Sequence, residues 1–171
     1  MSNYLHEARD LLEGITPLEV NCGQVCGARC CHADEQAGGM RLFPGEEAFS
    51  GDYCLTATAD GGTLLTCDGT CDRATRPLAC RIFPLFPYVE ESGRVRAVYD
   101  PRAFRVCPLV RECAHVPLRR DFVRAVRRVG RLLMADPACA DFLRQQSREI
   151  DLLWQLLPLD KQRPPVARRK P

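Results

Sequence analysis

The chain contains few histidines and no long apolar runs, and each of these absences excludes a class of function. It has three histidines among 171 residues, so a metal site built mainly on imidazole is not expected. No stretch approaches the ~18 apolar residues that a transmembrane helix needs. The first residues, MSNYLHEARDLLEG, include acidic side chains and no apolar segment typical of a signal peptide. We therefore expect a cytoplasmic protein without a membrane span.

Motifs for several common activities are also missing. The chain has no hydrolase nucleophile elbow, no P-loop and no dinucleotide-binding glycine pattern. Its formal net charge of +2 is too small for the chain as a whole to indicate nucleic-acid binding. Any such function must depend on local clusters of charge.

Cysteine, by contrast, is in excess. The chain has 11 cysteines, and all but Cys139 lie between Cys22 and Cys113. Disulfides and metal binding are the two explanations. An odd count would leave one thiol unpaired, and a reducing compartment keeps thiols free to bind metal. We therefore expect metal binding rather than disulfides.

The first two thirds of the chain predict short elements joined by loops. Leu5, Ala8 and Leu12 share one face of a helix over 3–13. A helical turn is expected at 45–50. The segment 53–67 predicts a hairpin, because threonines favour strands and Asp-Gly-Gly favours the turn between them. The alternating segment 94–99 predicts one more strand.

Helical periodicity takes over in the last third. Apolar side chains recur on one face over 118–134. Asp136 and Pro137 are a typical helix start, and this second helix is expected to run to about Leu157. We predict an α+β fold: a small cysteine-rich, loop-dominated body with short strands, followed by a helical hairpin. The expected divisions are a metal-binding domain, a hairpin packed on it and a disordered basic tail, at 1–116, 117–158 and 159–171.

The first cysteine cluster is Cys22-x3-Cys26-x3-Cys30-Cys31. If the segment is helical, Cys22, Cys26 and Cys30 lie along one face and converge on one metal. The adjacent Cys30 and Cys31 point in different directions. Either they serve two sites, or one binds metal while the other packs.

A second cluster follows at Cys67-x3-Cys71-x8-Cys80, and Cys107 comes later. Zinc takes four ligands in a tetrahedron, and iron–sulfur clusters also take four thiolates. The first cluster cannot comfortably supply all four, so we expect the second to complete the site. Further candidates for ligands are Cys113 and His32, while Cys54 and Cys139 are expected to be buried structural cysteines.

The segment RPLACRIFPLFP, residues 76–87, surrounds Cys80 with arginines and prolines. Four thiolates around a divalent ion leave a formal charge of about −2. Arg76 and Arg81 could offset that charge and donate N–H groups to sulfur. The alternative is an ordinary surface loop stiffened by its prolines.

The CC-ending cluster followed by RPxxCRxFP resembles the YkgJ-type cysteine-cluster family over roughly residues 20–110. That family is described as a zinc- or iron-chelating domain with a CxxCxxCC motif. The resemblance implies a set of eight ligands: Cys22, Cys26, Cys30, Cys31, Cys67, Cys71, Cys80 and Cys107. A relative of the family, the flagellin lysine methylase, shares the cysteine pattern and is associated with an iron–sulfur cluster.

Arginines crowd the helix expected at 118–134. They are Arg119, Arg120, Arg124, Arg127, Arg128 and Arg131. Such a face can contact nucleic-acid phosphates or an acidic protein, or it can simply be solvated.

The cysteines, the resemblance and the arginine helix together leave three possible functions. The first is a metal-binding protein that holds zinc, iron or a [4Fe-4S] cluster. The second is an iron–sulfur enzyme or electron-transfer protein, and the third is a structural zinc protein that binds nucleic acid.

Overall fold

The computed structural model describes residues 3–31, 39–51, 53–67, 71–111 and 117–157. The fold is α+β, as predicted. Its helices are α1 (Asn3–Asp10), α2 (Cys22–Cys26), α3 (Leu78–Ile82), α4 (Ala103–Val106), α5 (Pro108–Arg111), α6 (Arg120–Leu133) and α7 (Pro137–Leu156). Its strands are β1 (Met40–Arg41), β2 (Cys54–Ala57), β3 (Thr63–Thr66), β4 (Leu85–Val89) and β5 (Val95–Tyr99).

Two antiparallel sheets form in the described residues. The first has the order β1-β3-β2, and the β2–β3 hairpin pairs Cys54 with Thr66. The second sheet is the hairpin of β4 and β5, in which Leu85 pairs with Tyr99. The predicted hairpin at 53–67 and the strand at 94–99 are therefore confirmed. The helical turn predicted at 45–50 is also present, as a 3-10 helix at Glu46–Phe49.

The segment 76–87 is more regular than the loop that its prolines suggest, because it holds α3 and the start of β4. Pro87 is tolerated in β4 because that sheet has two strands, so alternate N–H groups point away from β5. Val89 lies on the same outward edge, and its N–H donates to Ser147 Oγ at 2.9 Å. A proline at an outward position therefore costs no hydrogen bond between the strands.

The main hydrophobic core lies between α1, the β4–β5 sheet and the last two helices. Its fully buried side chains include Leu12, Phe122, Val126 and Leu143. The helix predicted at 118–134 is confirmed as α6, and the helix predicted after Asp136 is confirmed as α7. Asp136 caps α7 as expected, since its side chain accepts a hydrogen bond from the Cys139 N–H at 2.9 Å.

This core joins the last two helices to the rest of the chain. Side chains on both sides of the expected boundary at 117 belong to one buried cluster. The basic tail predicted at 159–171 lies outside the described residues. Among the residues that the structure describes, no helix is long and apolar enough to span a bilayer.

Candidate metal centre

Helix α2 places the first two cysteines of the cluster. The side chain of Asn21 accepts from the Gly23 N–H at 3.2 Å and caps the helix start. Gly27, at φ +62°, ends the helix after one turn. The condition that the segment is helical as far as Cys30 is therefore not met, because the helix ends at Gly27 and Cys30 and Cys31 lie on a turn.

Cysteines from three parts of the chain line one small cavity, which we call the first cavity. It lies beside α2 and has a volume of about 60 Å³. The arginines Arg73, Arg76 and Arg81 also line it. Its cysteines are Cys22, Cys26, Cys30, Cys31, Cys80 and Cys107.

The second cavity, of about 200 Å³, adjoins the first. It lies between the end of β3 and the start of α3, and Arg76 lines it as well. Its cysteines are Cys30, Cys31, Cys67, Cys71 and Cys80. Each of the eight cysteines in the candidate ligand set thus lines one cavity or both.

The cysteines expected to be structural line neither cavity. Cys139 is buried in the core as predicted, with 1% of its surface exposed. The prediction that Cys54 is buried is wrong: Cys54 is exposed, as is every residue of β2. The order β1-β3-β2 puts this strand at the sheet edge. The two further ligand candidates, Cys113 and His32, lie outside the described residues.

The two arginines that flank Cys80 have different roles. Arg76 donates through Nε to Cys71 Sγ at 3.2 Å, as expected of an arginine next to a thiolate. Arg81 makes no such contact with a sulfur atom of the described residues. Its buried guanidinium donates to the carbonyls of Arg73 and Ala74 at 2.8 and 3.0 Å, and it forms an ion pair with Glu13 at 3.2 Å. Arg81 thereby holds the loop before α3 in place.

Glu46 is a functional candidate that the sequence does not reveal. Its carboxylate is 1% exposed and accepts from the backbone N–H groups of Phe43 at 3.0 Å and Ala79 at 3.3 Å. It also accepts from the N–H of Leu78 at the start of α3. The carboxylate therefore fixes the helix that carries Cys80. Nothing in the local sequence GEEAF, residues 45–49, indicates that its first glutamate has this role.

Burial and neighbouring sulfur raise the pKa of several thiols. A hydrogen bond with Cys31 and burial raise the pKa of Cys30, with additional effects of Cys22 and Cys26. Burial raises the pKa of Cys80, and the charges of Glu46, Cys31 and Cys71 add to the effect. Burial raises the pKa of Cys107 to about 11, with Cys22 and Cys26 again contributing. These thiols remain protonated near neutral pH unless a cation stabilises their thiolates.

The donor set suits a soft metal. All ten cysteines in the described residues are free thiols, and sulfur ligands favour zinc, Cu(I) and iron–sulfur clusters. As the side chains are placed, no three Cys, His, Asp or Glu residues in the described part of the chain form a group that could hold a metal ion. The thiols line shared cavities, so coordination would require side-chain rotation to bring their Sγ atoms together.

Comparison with known proteins identifies no relative. No family model matches the chain, no curated protein matches it, and no solved structure matches its fold. Arguments about function therefore depend on the residues and geometry of this chain.

Proposed function

We propose that this chain is a cysteine-cluster metalloprotein of the YkgJ type that binds zinc or iron through thiolates. One observation supports the proposal most strongly. Eight cysteines lie in segments as far apart in the sequence as Cys22 and Cys107, and all eight line two adjoining cavities. Metal binding explains why these sulfur atoms share one region, since thiolates need a cation to offset their charge.

The surroundings of the cavities support the same proposal. Three guanidinium groups line the first cavity, and Arg76 already contacts a sulfur atom. A metal held by four thiolates has a formal charge near −2. Positive side chains next to it reduce the cost of concentrating that charge in a half-buried site. When bound, zinc would supply a structural cross-link, whereas an iron–sulfur cluster would also supply electron transfer.

Purification of the full chain without oxygen, followed by elemental analysis, tests the proposal. We expect stoichiometric zinc or iron. A brown protein with acid-labile sulfide would indicate an iron–sulfur cluster and would favour an electron-transfer or enzymatic role. A colourless protein with zinc would favour a structural role.

Two alanine variants provide the matched comparison. Cys80→Ala removes a thiol that lines both cavities and should lose metal. Cys54→Ala removes an exposed thiol that lines neither, so it should keep the wild-type content. Absence of stoichiometric metal from the wild-type protein, or equal metal in both variants, would contradict the proposal.

A basic face on α6 favours a second candidate function, binding of nucleic acid by the metal-stabilised fold. Four arginine side chains form an exposed row with the spacing of one helix face: Arg120, Arg124, Arg128 and Arg131. None of the four has an ion-pair partner among the described residues. Arg119 and Arg127 do not belong to this row, because Arg119 pairs with Asp121 and Arg127 is half-buried.

Salt-dependent binding to duplex DNA and RNA tests this candidate. Phosphate contacts release counterions, so the affinity should fall linearly on logarithmic axes as salt rises. The double variant Arg124→Glu/Arg128→Glu should reduce both the affinity and the salt slope. Arg148→Glu, an exposed arginine on α7, is the control. Binding only to an acidic protein, or equal effects of both variants, would contradict nucleic-acid binding by this face.

A further inference from the structure

The two cavities differ in which cysteines reach them. Cys22, Cys26 and Cys107 line only the first cavity, whereas Cys67 and Cys71 line only the second. The position of five of the eight thiols therefore assigns each of them to one cavity. The other three, Cys30, Cys31 and Cys80, lie where the cavities meet.

These three thiols are within reach of either group. Zinc and iron–sulfur clusters both require four ligands. The three thiols that line only the first cavity need one more to reach four, and the two that line only the second need two more. The three thiols at the boundary supply that number without any thiol being shared.

The turn after α2 explains how neighbouring cysteines can serve different groups. Gly27 leaves the helix in the left-handed region at φ +62°, and Ala28 follows at φ +54°. These two residues reverse the chain direction before Cys30 and Cys31. Because consecutive side chains point in different directions, the pair lies at the boundary of the two cavities.

Arg76 lies at the same boundary. It lines both cavities and donates to Cys71 Sγ at 3.2 Å. Two neighbouring centres, each with four thiolates, would repel one another. A guanidinium between them reduces that repulsion, which gives this arginine a role that a single centre would not require.

On the basis of the proposed metal-binding function, we infer that the chain holds two separate tetrathiolate metal centres rather than one. The first centre comprises Cys22, Cys26, Cys107 and one of the three boundary thiols. The second comprises Cys67, Cys71 and the other two. The centres share no ligand.

Titration of the stripped, reduced full chain with Co²⁺ alone counts the centres. Cobalt–thiolate absorption should rise until two equivalents are bound, and the same count should hold for zinc by elemental analysis. If the protein is isolated with iron, the iron content should be that of two clusters. Cys26→Ala and Cys71→Ala should each retain one equivalent, and the double variant should retain none. Cys54→Ala is the control and should retain two.

The outcomes separate this inference from the function on which it depends. No bound metal in the wild-type chain overturns both. One equivalent in the wild type leaves metal binding intact and overturns the division into two centres. A single variant that loses both equivalents, with wild-type circular dichroism, overturns the assignment of ligands. Where a variant does not fold, the wild-type count still decides between one centre and two.

Discussion

At the scale of single residues, the half-buried Arg76 and the buried Glu46 act on the cysteine region in different ways. Arg76 contacts a sulfur atom directly. Glu46 acts through the backbone, because its carboxylate accepts N–H groups at the start of α3 and so positions Cys80. Neither residue is a proposed ligand, so both can be changed while the thiol set stays intact.

Replacement of Arg76 should weaken metal binding without removing a ligand. Partners of ligands outside the coordination sphere typically change metal affinity by about 10–100-fold, and Arg76→Gln removes both the N–H···S contact and the positive charge. We expect a loss of about tenfold or more in Zn²⁺ affinity, measured by competition with a chromophoric chelator. Arg148→Gln, on the exposed face of α7, should have wild-type affinity, and equal affinities for all three proteins would count against this role.

Glu46 should make stability depend on pH. Burial raises the pKa of its carboxyl to about 7 from an ordinary value of 4.5, so the folded state favours the protonated form. The folded pKa is the higher one, so this contribution to stability is complete below about pH 4.5 and is lost as the pH rises to about 7.

The variant Glu46→Gln removes this titration. The wild type should therefore lose on the order of 3 kcal/mol relative to Glu46→Gln between pH 4.5 and 8. Urea unfolding of both proteins across that range measures the difference. Curves that stay parallel at every pH would show that Glu46 does not titrate in this range.

At the scale of elements, α6 determines how the helices meet the β4–β5 sheet. Its arginine row is exposed, while Phe122, Val126 and Val129 on the other face are completely buried. Gly130 allows the closest approach, because a Cβ at this position would lie 2.5 Å from Pro87 Cβ and 2.7 Å from Val95 Cγ1. The helix therefore contacts both strands through a position that has no side chain.

Replacement of Gly130 by alanine should push α6 away from the β4–β5 sheet. Overpacking typically costs about 1–3 kcal/mol, which outweighs the gain of about 1 kcal/mol that alanine has over glycine in a helix. We therefore expect Gly130→Ala to lower the free energy of unfolding, measured by denaturant titration. Arg131→Ala changes the next, exposed position and should alter stability by less than about 0.5 kcal/mol. Equal or higher stability of Gly130→Ala would show that the strands can move aside.

At the scale of the whole molecule, the apolar core and the proposed metal centres occupy different places. The apolar core joins α1, the β4–β5 sheet, α6 and α7. Among the cysteine segments, α3 gives Leu78, Ala79 and Ile82 to this core, whereas α2 buries no residue. The proposed metal centres would therefore add most to the stability of the α2 segment, which the main core does not reach.

Removal of metal should thus loosen one part of the molecule and spare the other. After chelation, hydrogen exchange should rise over residues 22–31 and 71–77, whereas α6 and α7 should stay protected. Leu143→Ala, which opens the core, should instead cost about 2–5 kcal/mol and reduce protection throughout. Uniform loss of protection on chelation would indicate that the metal region and the core unfold as one unit.

Local patterns in the sequence were sufficient to predict α6, α7 and the 53–67 hairpin. The set of eight ligand cysteines, which the family resemblance implies, stays a prediction. Periodicity, turn residues and cysteine spacing are properties of neighbouring residues, so they can be recognised without coordinates. Four features became visible only in the tertiary structure. They are the position of β4, the exposure of Cys54, the burial of Glu46 next to α3, and the two cavities that the thiols line. Each of these depends on which distant segments pack together: Pro87 is tolerated because its N–H position faces away from β5, and Glu46 matters because α3 begins next to it.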